Sequence, residues 1–171
     1  MVTVLNQQRR VWLLPLMICV AIIVFDQLSK QWIVNRLGPV PLMDAIPLVG
    51  NGVQLIYSRN TGVAFSLLQG VPQLLTVLAL LITAGVIYVY ITQLPRQNLA
   101  VQISIGLIVG GALGNLIDRI VLGYVIDFIQ VGWWPVFNVA DSAISLGAIL
   151  LVLTLVRLDA IRNARSQTAV Q

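Results

Sequence analysis

Four long runs of apolar residues dominate the pattern along the chain. They cover about residues 11–33, 71–91, 99–117 and 139–156. A helix needs roughly 20 mainly apolar residues to cross the hydrocarbon core of a bilayer, and each run approaches that length. The pattern therefore predicts four transmembrane helices. Two longer connections, residues 34–70 and 118–138, then lie on one side of the membrane.

The two longer connections carry shorter patterns of their own. Residues 53–57 and 124–131 are rich in β-branched and aromatic side chains and are bounded by glycine, which is typical of strands. Residues 62–68 are apolar but too short to span, which favours an interfacial segment that closes over a site. We therefore predict an all-α membrane protein of four transmembrane helices, with a small extracytoplasmic β-sheet and an outer interfacial segment. Residues 1–171 are expected to form a single integral-membrane domain.

Composition and charge agree with a membrane location. Hydrophobic residues make up 58% of the chain and charged residues 9%, whereas a soluble domain carries about 25% charged residues. The ten basic residues are scattered and form no patch, so we expect no nucleic-acid partner. Six of them fall on the side of the termini and four on the other side, which favours cytoplasmic termini.

Missing residue types narrow the chemistry. The chain has no histidine and no glutamate, and Cys19 is its single cysteine. This composition excludes Ser-His-Asp and Cys-His catalysis, histidine-ligated zinc and an internal disulfide. We expect neither a metal nor a cofactor. Every acidic side chain is an aspartate, at positions 26, 44, 118, 127, 141 and 159.

Two aspartates at the outer ends of spans have simple structural explanations. Asp26 precedes Lys30 by four residues, so the two can pair on one helix face while Lys30 extends to water. Asp118 adjoins Arg119, and an interfacial charge cluster accounts for both. An ionisable group in a transmembrane segment is nevertheless a functional candidate, because its burial is costly unless it is paired or hydrated.

Asp127 and Asp141 are harder to explain structurally. Asp127 interrupts an apolar strand-like run. Asp141 lies three residues after Asn138 and so fits a helix cap, but capping leaves the following Ser142 and Ser145 unexplained. A turn between the two aspartates brings one carboxylate towards the other. Two close carboxylates share a proton, so that one can act as a base on water while the other donates to a carbonyl group.

Three further features lie in the third span or near the outer membrane boundary. Asn60 begins a turn signal, Asn-Thr-Gly. Asn115, near the end of the third span, needs hydrogen-bond partners, either structural or in a ligand. Glycines at 106, 110 and 114 indicate close helix packing rather than a phosphate loop.

Four ordered blocks carry a resemblance to a known family. They are Asp26-Gln-Leu-Ser-Lys30, Asn60-Thr-Gly-Val-Ala-Phe-Ser66, Gly111 to Arg119 with Gly123 to Phe128, and Phe137-Asn-Val-Ala-Asp-Ser142. Together they resemble the bacterial lipoprotein signal peptidases, the signal peptidase II family.

The resemblance implies an aspartic endopeptidase of the bacterial cytoplasmic membrane. Such an enzyme removes the signal peptide from diacylglyceryl-modified prolipoproteins, on the N-terminal side of the lipidated cysteine, at the extracytoplasmic face. By motif, Asp127 and Asp141 fall on the catalytic positions. The supporting or substrate-binding positions are Asp26, Asn60, Asn115, Asp118, Arg119 and Asn138. Membrane lipid and globomycin-type inhibitors are further partners that the resemblance implies.

Two other classes of protein remain open at this point. A small proton-coupled transporter also carries intramembrane carboxylates, although transporters tend to place them near the midplane and to show inverted repeats. A purely structural membrane subunit would not need the pair of Asp127 and Asp141.

Overall fold

The computed structural model describes residues 2–38, 45–50, 52–62 and 72–168. In chain order, the elements are α1 (Val2–Leu37), β1 (Ile46–Val49), β2 (Val53–Asn60), α2 (Pro72–Thr92), α3 (Leu99–Val121), β3 (Val125–Val131) and α4 (Val139–Thr168). Four helices have segments long and apolar enough to cross a membrane: Val11–Leu37, Gln73–Thr92, Leu99–Val121 and Val139–Gln167. With the small sheet, they confirm the predicted fold class.

The helices run beyond the apolar stretches that predict them. α1 continues to Leu37 rather than ending near residue 33, and α3 continues to Val121 rather than 117. Polar residues can extend a helix past the hydrocarbon boundary because the backbone hydrogen bonds do not depend on hydropathy. Asp118 and Arg119 therefore belong to α3 and not to a connecting segment.

α3 lies at the centre of the bundle, where glycine permits close approach. A Cβ at Gly106 would lie 2.7 Å from Ile18 Cβ, and one at Gly110 would lie 2.9 Å from the carbonyl oxygen of Cys19. On the side that faces α4, a Cβ at Gly111 would collide with the carbonyl oxygen of Ala140. The prediction of close helix packing is confirmed, and the glycines bring α1 and α4 against the two sides of α3.

The three strands form one antiparallel sheet in the order β1-β2-β3. Both predicted strands are present, whereas the four-residue β1, which contains Pro47, had no clear sequence signal. Ser58 of β2 pairs with Asp127 of β3, next to a register shift in the ladder. Residues 125–128 are all buried, so β3 has no solvent face there. This explains why period-two alternation does not place Asp127 on a polar face.

The chain after β3 turns back and fixes the start of α4 beside that strand. Gly132 adopts a left-handed conformation, with φ of +51°, which glycine tolerates without steric cost. Phe137 then forms two backbone hydrogen bonds with Ile129, of 2.8 and 3.1 Å. Asn138, the next residue, is thereby brought to the side of Asp127. The predicted interfacial segment, apart from Gly62, lies outside the described residues.

Candidate active site

A cleft of about 1020 Å³ opens between β2, the end of α3, the turn after β3 and the start of α4. Four of the eight predicted site residues line it, namely Asn60, Arg119, Asp127 and Asp141. The other four, Asp26, Asn115, Asp118 and Asn138, are buried behind it. Ser142 and Ser145, the unexplained serines of α4, also line the cleft.

Asp127 is held by two asparagine side chains. Its Oδ2 accepts a hydrogen bond from Asn60 Nδ2 at 2.8 Å, and its Oδ1 accepts one from Asn138 Nδ2 at 2.8 Å. Burial raises the pKa of Asp127 to about 7, and the nearby charge of Asp141 acts in the same direction, while the Asn60 hydrogen bond opposes the rise. A carboxyl group with this pKa can hold or release a proton near neutral pH.

Asp141 lies in the first turn of α4 and takes part in its cap. Its backbone N–H donates to Asn138 Oδ1 at 2.9 Å, and its Oδ2 accepts from the backbone N–H of Asn138 at 3.2 Å. The predicted cap is therefore confirmed. Asp141 Oδ1 also accepts from Asn115 Nδ2 at 2.7 Å. The capping geometry holds the carboxylate at the wall of the cleft, so capping and a functional role are compatible.

Asn138 joins the two aspartates. Its side-chain Nδ2 donates to Asp127, and its backbone N–H and side-chain Oδ1 bind Asp141. The same Nδ2 lies 2.9 Å from Asn115 Oδ1. Asn138 is fully buried. One buried residue therefore contacts both candidate catalytic carboxyl groups, Asp127 through its side chain and Asp141 through its backbone, and connects strand β3 with helix α4.

Lys30 pairs with Asp26 as their four-residue spacing predicts, but its position contradicts the rest of the simple explanations of Asp26 and Asp118. It does not extend to water, because only 2% of it is exposed. Its ammonium lies 2.8 Å from Asp26 Oδ2, 2.9 Å from Asp118 Oδ2 and 3.0 Å from Asn115 Oδ1. Asp118 is thus paired with Lys30 inside the bundle, and its interpretation as an interfacial cluster with Arg119 is wrong. The partners of Lys30 other than Asp26 lie on α3, which is distant from Lys30 in sequence.

Sequence reasoning missed two members of this buried cluster. The spacing of Lys30 predicts only its pairing with Asp26, although a charged residue in an apolar run is itself a signal of function. Gln27, which gives no such signal, donates from Nε2 to Asp118 Oδ1 at 2.9 Å. Among the described residues, no buried side-chain nitrogen or oxygen lacks a hydrogen-bond partner. The cluster is therefore fully paired, as a polar group in a membrane interior must be.

Arg119 supplies a positive group at the cleft. Its side chain donates weakly to the carbonyl oxygen of Asn115, at 3.4 Å. Within the described part of the chain, no group of three His, Cys, Asp or Glu side chains is arranged to ligate a metal ion. The cleft offers two carboxyl groups, the amide of Asn60 and the guanidinium groups of Arg59 and Arg119, a set suited to proton transfer with a bound water.

Comparisons with known proteins agree with this site. Residues 18–157 match the family model described as signal peptidase (SPase) II. A lipoprotein signal peptidase of Syntrophomonas wolfei is 45% identical over 146 residues, which cover 85% of this chain and 93% of that protein. One of Rhodococcus jostii is 42% identical over 161 residues, covering 90% of this chain and 77% of that protein.

A solved structure agrees as well. It is described as a bacterial membrane enzyme determined by the in meso method at 2.3 Å resolution, and it has a TM-score of 0.74 at 31% identity. The match covers 84% of this chain and 87% of the other. None of these findings supports the transporter alternative. The chain belongs to the signal peptidase II family of membrane aspartic peptidases and is a bacterial multi-pass membrane enzyme.

Proposed function

We propose that Asp127 and Asp141 are the catalytic pair with which this peptidase removes signal peptides from prolipoproteins. The observation that carries the proposal is the Asn138 bridge. This one buried residue binds the Asp127 carboxyl group through its side-chain amide and the Asp141 carboxyl group through its backbone N–H, at the wall of one cleft. The substrates are diacylglyceryl-modified prolipoproteins, cleaved on the N-terminal side of the lipidated cysteine. No cofactor takes part in the reaction.

The pair holds one proton because two ionised carboxylates close together repel each other. The ionised member accepts a proton from a water molecule, whose oxygen attacks the scissile carbonyl carbon. The protonated member donates to the carbonyl oxygen, so that a neutral tetrahedral diol forms. When the diol breaks down, one of its hydroxyl protons returns to the carboxylate that had donated to the carbonyl oxygen. The other carboxyl group gives the proton it took from water to the leaving nitrogen as the C–N bond breaks. Both carboxyl groups thus regain their starting states.

The surrounding amides fix which carboxylate oxygens face the substrate. Asn60 and Asn138 each bind one oxygen of Asp127, and Asn115 binds one oxygen of Asp141. Arg119 lines the cleft and is suited to bind a carbonyl oxygen of the substrate backbone. Holding the reacting groups in place lowers the entropic part of the barrier.

The proposed orientation places the cleft at the extracytoplasmic face and both termini in the cytoplasm. The distribution of Lys and Arg supports it, as do Trp133 and Trp134 at the rim of the cleft, 85% and 53% exposed, since indole rings prefer the membrane interface. The 171 residues form one integral-membrane domain. Substrate lipid chains then stay in the bilayer, in contact with membrane lipid, while globomycin-type inhibitors occupy the cleft.

The test is cleavage of a diacylglyceryl-modified prolipoprotein in detergent by purified variants. Asp127→Asn and Asp141→Asn should each lose cleavage while remaining folded. Asp159→Asn is the matched control, because Asp159 is exposed on α4 and makes only a long contact with Asn163. Normal cleavage by either site variant would reject the catalytic pair. A folded wild-type enzyme that cleaved only unmodified precursors would reject the assigned substrate class.

A further inference from the structure

Lys30 lies at the centre of a buried ionic cluster behind the cleft. It is the only lysine in the chain, and its ammonium has three close partners, two of which are the carboxylates of Asp26 and Asp118. The third partner is Asn115 Oδ1. Since an ammonium has three N–H donors, these three contacts use all of them. We define Asp26, Lys30 and Asp118 as the Lys30 clamp.

Each carboxylate of the Lys30 clamp also binds the backbone next to a candidate catalytic residue. Asp118 Oδ2 accepts the N–H of Ile126 at 3.0 Å, and Ile126 directly precedes Asp127. Asp26 Oδ1 accepts the N–H of Ala140 at 3.0 Å, and Ala140 directly precedes Asp141. The two arms of the clamp therefore end on the two segments that carry the pair, one on β3 and one on α4.

Further contacts restrict the conformations of the two carboxylates of the Lys30 clamp. Gln27 Nε2 donates to Asp118 Oδ1 at 2.9 Å and lies 3.2 Å from Asp26 Oδ2. Gly114 faces Asp26 closely, since a Cβ there would lie 2.7 Å from its Oδ2. Lys30 also reaches the pair by a second route, through Asn115, whose Nδ2 donates to Asp141.

We propose that Lys30 is a positioning residue, which sets the separation of Asp127 and Asp141 by joining the two carboxylates that hold the neighbouring backbone. This inference rests on the proposed function. A purely stabilising ion cluster is the simpler explanation, but buried ion pairs give little net stability compared with apolar packing. Stability alone does not require both arms to end beside the pair, whereas a fixed separation does.

The decisive variant is Lys30→Arg. It keeps the positive charge that Asp26 and Asp118 need, but its planar guanidinium cannot direct three donors from one nitrogen. We expect kcat to fall by about tenfold or more, with KM within about twofold, because a misplacement near 1 Å can cost up to about 100-fold in rate. Lys30→Met should lose more activity. The matched control is Arg36→Met, which removes one positive charge from an exposed position of the same helix.

Detergent-solubilised, full-length variants are compared by size-exclusion profile, thermal unfolding and cleavage kinetics. A folded Lys30→Arg enzyme with wild-type kcat would overturn the proposal, as would a fall in activity that appears only in KM. If neither Lys30 variant folds, Lys30 is required for folding, and this result would overturn the proposal as well. An error in the proposed catalytic pair itself is distinguishable from these outcomes, because Asp127→Asn would then still cleave the substrate.

Discussion

Replacing Asp127 by asparagine should change how stability depends on pH. The carboxyl group is 3% exposed, and burial together with the charge of Asp141 raises its pKa to about 7. In the unfolded chain its pKa is about 3.9. The asparagine has nearly the same shape but cannot titrate, so the comparison isolates the proton bound at this position.

The sign follows from proton binding. Between about pH 4 and pH 7, native Asp127 holds a proton that the unfolded chain has lost, so the free energy of unfolding decreases as pH rises. The slope is about 1.4 kcal/mol per pH unit in the middle of that window, which gives a loss of about 2 kcal/mol between pH 5 and pH 7. The stabilisation is fully present below pH 4 and is lost as pH rises through 7. Relative to wild type, Asp127→Asn should therefore gain about 2 kcal/mol over this interval.

The assay is equilibrium unfolding of the purified enzyme in detergent micelles at pH 5, 6, 7 and 8. Asp127→Asn also loses one of the two amide hydrogen bonds to Asn60 and Asn138, but that loss shifts its curve without changing the slope. Asp159→Asn controls for removal of an exposed carboxylate and should follow the wild type at every pH. Parallel pH dependence in wild type and Asp127→Asn would refute the argument, because Asp127 would then titrate as an ordinary exposed carboxyl group.

Three other predictions use different observables. Cleavage should decline above about pH 7, because ionisation of Asp127 removes the shared proton; a pH–rate profile flat to pH 9 would contradict this. Asn138→Ala should lower stability by about 1–3 kcal/mol and reduce kcat, since it removes the side-chain hydrogen bonds to the Asp127 carboxyl group and to the backbone N–H of Asp141, which caps α4; unchanged thermal unfolding and kcat would count against it. Gly114→Ala should destabilise by about 1–3 kcal/mol because its Cβ would press on Asp26, whereas Gly85→Ala, with open space around it, should not. Equal unfolding of the two glycine variants would show that the contact at Asp26 is not tight.

The helices of this protein are predictable because a membrane restricts the chain severely. A spanning segment must satisfy its own backbone hydrogen bonds, so hydropathy alone identifies four helices. Their ends are not predictable in this way. The extension of α3 from residue 117 to Val121 adds a turn that holds Asp118 and Arg119, and this turn depends on contacts with α1 and β3.

The site is predictable in part. The cap at Asn138 and the turn at Gly132 both have local signals, and together they bring Asp141 back towards Asp127. The local sequence marks Lys30 as a charge in an apolar run and shows its spacing from Asp26, but it does not identify the other partners of Lys30. Its other partners lie on α3, at least 85 residues away in sequence, and only the close packing of α1 on α3 brings them together. A pattern within one helix cannot contain that information.

The architecture of the site follows from a problem that every helix start presents in a membrane. The first N–H groups of α4 have no partner within the helix, and a buried unpaired donor is costly. Here Asp26 accepts the N–H of Ala140, and Asn138 Oδ1 accepts that of Asp141. Satisfying the helix start thus requires polar side chains at the place where the two carboxyl groups meet. Capping and the proposed catalytic role are therefore not competing explanations for Asn138 and Asp141, because the hydrogen bonds at the start of α4 also hold Asp141 at the wall of the cleft. A substitution that removes the cap should consequently change kcat as well as stability, and the Asn138→Ala measurement can detect both effects in one protein.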